Sequence, residues 1–198
     1  MKGTRILALN LQSCYFFNFY LFSSLGDELK QLEWLEKNLR EMEWNGEKAI
    51  IIAHIPPGAH DCMDSFARWY QVLADWFQHV IWTSMFGHVH AEYFNVARGV
   101  RTGKAINHDI ISGSATTFTN KNPSYRVITL DQETMLPVSI KTYYLNISYF
   151  NEHPLEEAIF TELYDFAEEY GIEDLWPSNI AKVSESFLTQ ESQAAKYI

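Results

Sequence analysis

The sequence predicts an α/β fold in which two β-sheets are flanked by helices. Three patterns carry that expectation. A strand-like run, an amphipathic helix and a second strand-like run follow one another over residues 4–53, a crossover unit that implies a mainly parallel sheet. A second amphipathic helix then leads into a third short apolar run. Between residues 93 and 145, four short segments alternate or run apolar and read as a meander of strands making a second sheet.

Taken in order, residues 4–12 read as a strand and the aromatic-rich stretch Tyr15 to Phe22 as a buried loop or second strand. Met1 to Arg5 with the apolar residues after them has the outline of a secretory leader. Asn10, Gln12, Ser13 and Asn18 interrupt that run and no small-x-small site follows, so the stretch is assigned to a strand. Gly26 to Trp44 predicts a helix, with Leu25, Leu29, Leu32, Leu35, Leu39 and Met42 on one face. Asp27 suits its first turn, Glu33 and Lys37 pair one turn apart, and Asn45-Gly46 supplies a C-cap. Lys48 to Ala53 is the next strand. Asp64 to Gln78 is a second helix whose stripe of Phe66, Trp69, Tyr70, Leu73, Trp76 and Phe77 is expected to face the sheet as core. Val80 to Phe86, short and rich in β-branched and aromatic residues, reads as a buried strand. Tyr93–Arg98, Ala105–Ser112, Ser124–Asp131 and Val138–Leu145 are the meander. From Pro154 the texture turns to acidic helix, with Leu155, Ile159, Leu163 and Phe166 at helical spacing and Gly171 as its stop. Trp176-Pro177 starts a last helix running towards Phe187.

Composition narrows the function classes. A chain of 198 residues is one domain, or one with a small appendage, and buries about 70% of its unfolded surface. With 15 Lys+Arg against 25 Asp+Glu the net charge is -10, which argues against nucleic acid and against electrostatic docking on anionic membranes. No uninterrupted apolar run has the length of a membrane-spanning helix.

The chemistry gathers at two strand ends. The run Val80 to Phe86 ends at Gly87, and His88-Val89-His90 follow directly. Lys48 to Ala53 ends at His54, followed by Ile55-Pro56-Pro57-Gly58, whose prolines stiffen the backbone behind that ring. A lone buried histidine is ordinarily a hydrogen-bonded core residue; three imidazoles on two rigid turns after two strands point to a metal site. His60, His79 and His108 have no motif around them and read as surface or core residues. The two cysteines, Cys14 and Cys62, are by themselves open to being unrelated thiols. Asn146-Ile147-Ser148 is a glycosylation sequon.

Ala53-His54-Ile55-Pro56-Pro57-Gly58 and Gly87-His88-Val89-His90 resemble the last two motifs of the calcineurin-like metallophosphoesterases, and more closely those of the acid sphingomyelinase-like branch. Arg5 to Asn10 with Cys14, the Gln31 to Leu35 helix, Ser114-Ala115-Thr116-Thr117-Phe118 and Asn122 to Val127 agree in order and spacing. The resemblance holds over roughly residues 4 to 150 and more weakly beyond. It implies a partial metallophosphoesterase sandwich, the C-terminal half of the catalytic domain, over residues 1–150. Residues 151–198 would begin a sphingomyelinase-type C-terminal helical region. It further implies that His54 and His88 hold one metal and His90 the other. The family site takes two Zn2+, of which this chain would hold at most one. Thr117, Phe118 and Arg126 would lie near substrate, a phosphodiester such as sphingomyelin or a nucleotide-like compound. By the same resemblance Cys14 and Cys62 form a disulfide, in keeping with a secreted or lysosomal protein.

Three family motifs are not found in the sequence: Asp-x-His, the bridging Gly-Asp, and the Gly-Asn-His-Glu-like motif that carries the general-acid histidine. No catalytic residue is therefore assigned. Asn107-His108-Asp109 and Asn151-Glu152-His153 stand downstream of the Gly-His-x-His loop and are not taken as ligands. Val89 replaces the usual threonine, Ala91-Glu92 stands where an aspartate is usual, and Phe118 replaces a tyrosine. The expectation is a sphingomyelinase-like phosphodiesterase, inactive alone because the N-terminal half of its catalytic domain is missing. The alternatives are a non-catalytic paralogue or fragment, or a calcineurin-like nucleotidase or phosphomonoesterase.

Overall fold

A computed structural model describes residues 3–23, 29–118 and 120–192. Strands β1 (Thr4–Leu9), β2 (Lys48–Ala53) and β3 (Ile81–Phe86) run parallel, joined through helices α1 (Gln31–Asn45) and α2 (Asp64–Trp76). Strand β5 (Ala105–Ile111) continues the sheet in parallel with β3, and β4 (Tyr93–Arg98) pairs antiparallel on its outer side. The order of this five-stranded sheet is β1-β2-β3-β5-β4. A three-stranded antiparallel sheet follows, made of β6 (Ser124–Leu130), β7 (Pro137–Tyr144) and β8 (Thr161–Asp165). The short helices α3 (Ile147–Glu152) and α4 (Phe166–Tyr170) and the longer α5 (Pro177–Thr189) complete the described residues. The fold is thus α/β, two sheets flanked by helices.

The helical spacing of α1 does what it predicts: Leu32, Leu35, Leu39 and Met42 are fully buried, each contributing on the order of 1.5–3 kcal/mol. The helix stops at Gly46, whose φ of 68° lets its N–H reach the carbonyls of Glu43 and Met42. These residues join Leu7, Leu9, Ile51, Phe66, Leu73, Phe77 and Ile81 in the main core. A second core of Ile110, Ile140, Phe166, Leu175, Ile180 and Val183 binds the two sheets and the C-terminal helices together. Cys14 and Cys62 are joined by a disulfide.

Several expectations need correction. Strand β1 stops at Leu9 rather than residue 12, because the Asn10 side chain accepts from the Gln12 N–H at 3.2 Å and starts a 3-10 turn over Leu11–Ser13. The stretch after Tyr15 is no buried strand: Phe17, Phe19, Tyr20 and Phe22 are exposed, and only Leu21 turns inward from the 3-10 helix Phe19–Ser23. Helix α1 begins at Gln31, after Lys30 in a left-handed conformation (φ 53°); Leu25, Gly26 and Asp27 lie outside the described residues. In α2, Trp69 and Trp76 are 44% and 62% exposed, so the aromatic stripe is wider than the face that packs. The meander divides. Strands β4 and β5 join the first sheet, because β5 finds the open edge of β3, and only β6 and β7 enter the second. Of the helix expected from Pro154 to Gly171, only the last turn forms, as α4 (Phe166–Tyr170) with Gly171 as its C-cap; the rest is irregular chain and strand β8. Leu155, at its would-be apolar face, is 100% exposed, and pairing with β7 overrides the helical pattern.

One strand is unusual. Asn107, His108 and Asp109 are consecutive and buried in β5, a strand with neighbours on both sides. Burial drives the Asp109 carboxyl up to about 7, against a weaker opposing hydrogen bond from Ser84. Its folded value lies above its unfolded one, so the native carboxyl stays neutral up to about pH 7, and stability, full below about pH 4, is lost as pH rises from there to 7. Asp109→Asn is therefore expected to raise stability at pH 7.5 by on the order of 4 kcal/mol, with the gain vanishing near pH 4, read by urea unfolding at both pH values. Reduction of Cys14–Cys62, which closes a loop of sequence separation 48, is expected to cost about 4 kcal/mol. Thermal melts with and without reductant check this, with an expected fall of about 8–16 °C.

Candidate metal site

Parallel pairing sets β2 and β3 side by side with their C-terminal ends together, so His54 and the Gly87–His90 loop emerge at one edge of the sheet. The Gly87 N–H donates to the His54 carbonyl at 2.9 Å and ties the two loops. Immediately afterwards the Val89 N–H donates to the Gly87 carbonyl at 2.9 Å, closing a three-residue γ-turn centred on His88. His88 has φ 73° and His90 φ 57°, both in the left-handed region that side chains with a Cβ rarely adopt. Backbone strain is thus concentrated on the two histidines of the motif.

The two leading rings meet. His88 Nδ1 lies 3.3 Å from His54 Nε2, with the rings edge to face at 5.1 Å. His88 Nε2 is 2.6 Å from the buried Asp61 carboxylate. Asp61 can only accept here, so it holds the proton of His88 on Nε2 and leaves the Nδ1 lone pair facing His54. Burial, then the neighbouring His88 and His90, push the His54 imidazole below its usual range, which favours the neutral ligand form. His90 turns differently: its ring packs edge-on against Phe118 at 5.8 Å, and its buried Nδ1 has no protein partner.

The disulfide explains why Asp61 is where it is. Cys62 is bonded to Cys14, the Met63 N–H donates to the Cys14 carbonyl at 2.7 Å, and the Phe16 N–H donates to the Asp61 carbonyl at 2.9 Å. Tyr15, in the same clamp, packs edge-on against His88 at 5.7 Å. Sequence reasoning passed over Asp61, which belongs to no motif. The available signal was its position next to a cysteine expected to be tethered near the site.

The contact between His88 Nδ1 and His54 Nε2 is within hydrogen-bond distance, and its length also matches the separation of two ligands on one tetrahedral zinc. Two nitrogens at about 2.0–2.1 Å from one tetrahedral zinc would stand about 3.3–3.4 Å apart, which is the spacing of His54 Nε2 and His88 Nδ1. Two corners are all that the fit supplies. Among the described residues, no group of three or more His, Cys, Asp or Glu side chains is gathered to hold a metal ion.

The remaining candidates lie as follows. Thr117 and Phe118 are exposed at the rim, Phe118 against His90. Arg126 is buried and spends its guanidinium inside the protein. It donates to the carbonyls of Tyr93 (3.3 Å) and Ile111 (3.1 Å), to the Tyr164 hydroxyl (3.3 Å) and to Thr142 Oγ1 (3.4 Å), and it pairs with the Glu92 carboxylate. Arg126 sits on β6 while Tyr93 and Ile111 belong to β4 and β5, so this one side chain bolts the second sheet to the first. Asn146 is exposed and caps α3 by accepting from the Tyr149 N–H at 3.1 Å. His79 pairs with Glu43 at 2.7 Å, away from the site.

Two sheets flanked by helices, with histidines on adjacent strand ends, define the class as an α/β sandwich. The sequence narrows it further. No protein-family model matches the chain. It is 31% identical over 202 residues to Sphingomyelin phosphodiesterase 1 of Caenorhabditis elegans, covering 100% of this chain and 35% of that protein. It is 32% identical over 184 residues to Sphingomyelin phosphodiesterase of Homo sapiens, covering 89% of this chain and 28% of that protein. It is 28% identical over 217 residues to Cyclic GMP-AMP phosphodiesterase SMPDL3A of Mus musculus, covering 98% of this chain and 46% of that protein. The chain belongs to the acid sphingomyelinase-like family. It spans between 28% and 46% of the length of these relatives.

An ion pair with one partner buried loses its balance when the other goes. Arg126→Met is expected to destabilise the protein by about 3 kcal/mol, because the half-buried Glu92 loses its cation and the second sheet loses its bolt. Denaturant unfolding of the variant checks this; an unchanged midpoint would instead mark Arg126 as a side chain free to meet an anion.

Proposed function

We propose that this chain carries part of the metal centre of a phosphodiesterase acting on sphingomyelin or a nucleotide-like phosphodiester, with His54, His88 and His90 as its ligands. The observation that carries the reading is the pair of imidazole nitrogens 3.3 Å apart on neighbouring strand ends, with Asp61 behind one of them. The names of the relatives support the phosphodiester chemistry. When bound, zinc lowers the pKa of a coordinated water and neutralises charge on phosphoryl oxygens. The chain's own part is positional. Asp61 fixes the His88 tautomer, the Gly87 N–H locks the two loops together, and the Cys14–Cys62 clamp keeps Asp61 in reach. Thr117 and Phe118 would border the substrate. Arg126, with its donors spent on the protein, is left to a supporting role.

The reading includes inactivity of this chain by itself, supported by the lack of Asp-x-His and Gly-Asn-His-Glu-like motifs in the sequence. The missing donors would come from the N-terminal half of the family's catalytic domain. A non-catalytic role is the second reading, favoured by the gathering of only two rings at the candidate centre. The disulfide supports an oxidising compartment, secreted or lysosomal, and the exposed Asn146 suits a glycan. No helix among the described residues is long and apolar enough to cross a membrane.

Zinc titration of the chain, followed by calorimetry, is expected to give at most one ion per molecule. Asp61→Asn should weaken binding about 10–100-fold, and His54→Ala or His88→Ala should weaken it further. Hydrolysis of bis(p-nitrophenyl) phosphate should need added N-terminal catalytic sequence from a relative. Zinc uptake indifferent to all three substitutions sinks the metal assignment, and turnover by the chain alone sinks the claim of inactivity.

A further inference from the structure

The sheet face under α2 carries a row of polar side chains that the metal centre does not use. Ser84, Asp109 and Asn95 stand side by side on β3, β5 and β4, in register with one another. Asn107 lies two residues before Asp109 and so on the same face of β5. Above them α2 presents Ala67 and Ala74, with Tyr70 and Gln71 between, and these small side chains leave a cleft of about 540 Å³. That is the size of a small-molecule site. Pro57 and Gly58 also border it, while His54, His88 and His90 do not.

Two buried groups reach this cleft with bonding capacity unspent. Asn107 is 3% exposed, and its side-chain oxygen accepts from the His108 N–H at 2.8 Å. Its Nδ2 has no protein partner among the described residues and is not sealed from solvent, so its N–H groups open on the cleft. Asp109 is 9% exposed and turns its carboxyl to the same space, beside Ser84. Buried amides left unpaired are rare in folded proteins, and an occupant of the cleft would supply the missing acceptor. The walls select what that occupant is. Arg68 and Arg98 border the cleft and disfavour a cation, while Asp64 and Asp109 disfavour an anion. The floor sets amide donors beside a carboxyl, over about 7 by 10 Å at the spacings along and between strands. Neighbouring hydroxyls meet both kinds of group, because each donates one hydrogen bond and accepts others.

We propose that this cleft is a second binding site, which takes a neutral polyol of monosaccharide size whose hydroxyls donate to Asp109 and accept from Asn107. A ring of the same shape without those hydroxyls leaves both side chains unpaired, so the polar floor supplies selection. Nothing in this site depends on the metal centre, so the two readings stand or fall separately.

The probes are myo-inositol, a ring with a hydroxyl on every carbon, cyclohexanol, the same ring with a single hydroxyl, and choline, a cation. They are titrated into the full 15N-labelled chain in EDTA at about pH 7.5. Myo-inositol is expected to shift the Asn107 side-chain amide peaks saturably, with a Kd of about 1 mM or below. Cyclohexanol and choline should bind at least about tenfold more weakly. Asp109→Asn, which gains stability at this pH, should nonetheless weaken myo-inositol binding about tenfold by losing a charge-assisted acceptor. Ala67→Phe, which fills the cleft from α2 and keeps the polar floor, should abolish binding. No saturable shift, equal affinity for cyclohexanol, tighter binding of choline, or undiminished binding in either variant would each overturn the proposal.

Discussion

The parallel pairing of β2 with β3 is the constraint on which the candidate site depends. Two strands that run the same way deliver their following loops to one edge, and the Gly87 N–H to His54 carbonyl bond fixes the loops at contact distance. An antiparallel arrangement of the same sequence would put His54 and His88 at opposite ends of the sheet. The pairing is itself a consequence of α2, whose buried Phe66, Tyr70 and Leu73 require a crossover that packs back on the sheet. Helix packing therefore decides at one remove which histidines meet.

A covalent link supplements that backbone constraint. The Cys14–Cys62 disulfide draws the residues after β1 against the loop after His54, and Asp61 and Tyr15 come with it to flank the His88 ring. The positive φ values at His88 and His90 are held by this surround: the γ-turn, the carboxylate and the packed rings over-determine a backbone that would otherwise relax. Arg126 does similar work at larger scale, joining β4, β5 and β6 through a guanidinium that reaches Glu92, two residues beyond His90. The site edge and the inter-sheet joint are thus mechanically continuous.

Strand β5 makes a contrasting point about buried polarity. Asn107, His108 and Asp109 occupy positions where a strand flanked on both sides ordinarily carries aliphatic side chains. Asp109 finds Ser84, and the Asn107 side chain accepts from the backbone N–H of His108, while the His108 ring finds nothing in the protein.

Much of this was legible in sequence. The three parallel strands, the two long helices with their apolar stripes and the Gly46 cap follow from periodicities of 2 and 3.6 residues, which are local properties. The histidine motifs were legible for the same reason, since each is contiguous and follows a strand. What failed was decided by partners distant in the chain. Whether β4 and β5 extend the first sheet or start the second depends on which edge is open, and residues 161–165 leave a helical pattern because β7 offers a ladder. Asp61 owes its place to a bond across a sequence separation of 48, which no local pattern encodes. Sequence by itself determined which segments become strands and helices and where the imidazoles stand along the chain. Only the tertiary structure decided which rings meet and which acid backs them, because edge pairing, cross-linking and burial are settled between residues far apart in the chain.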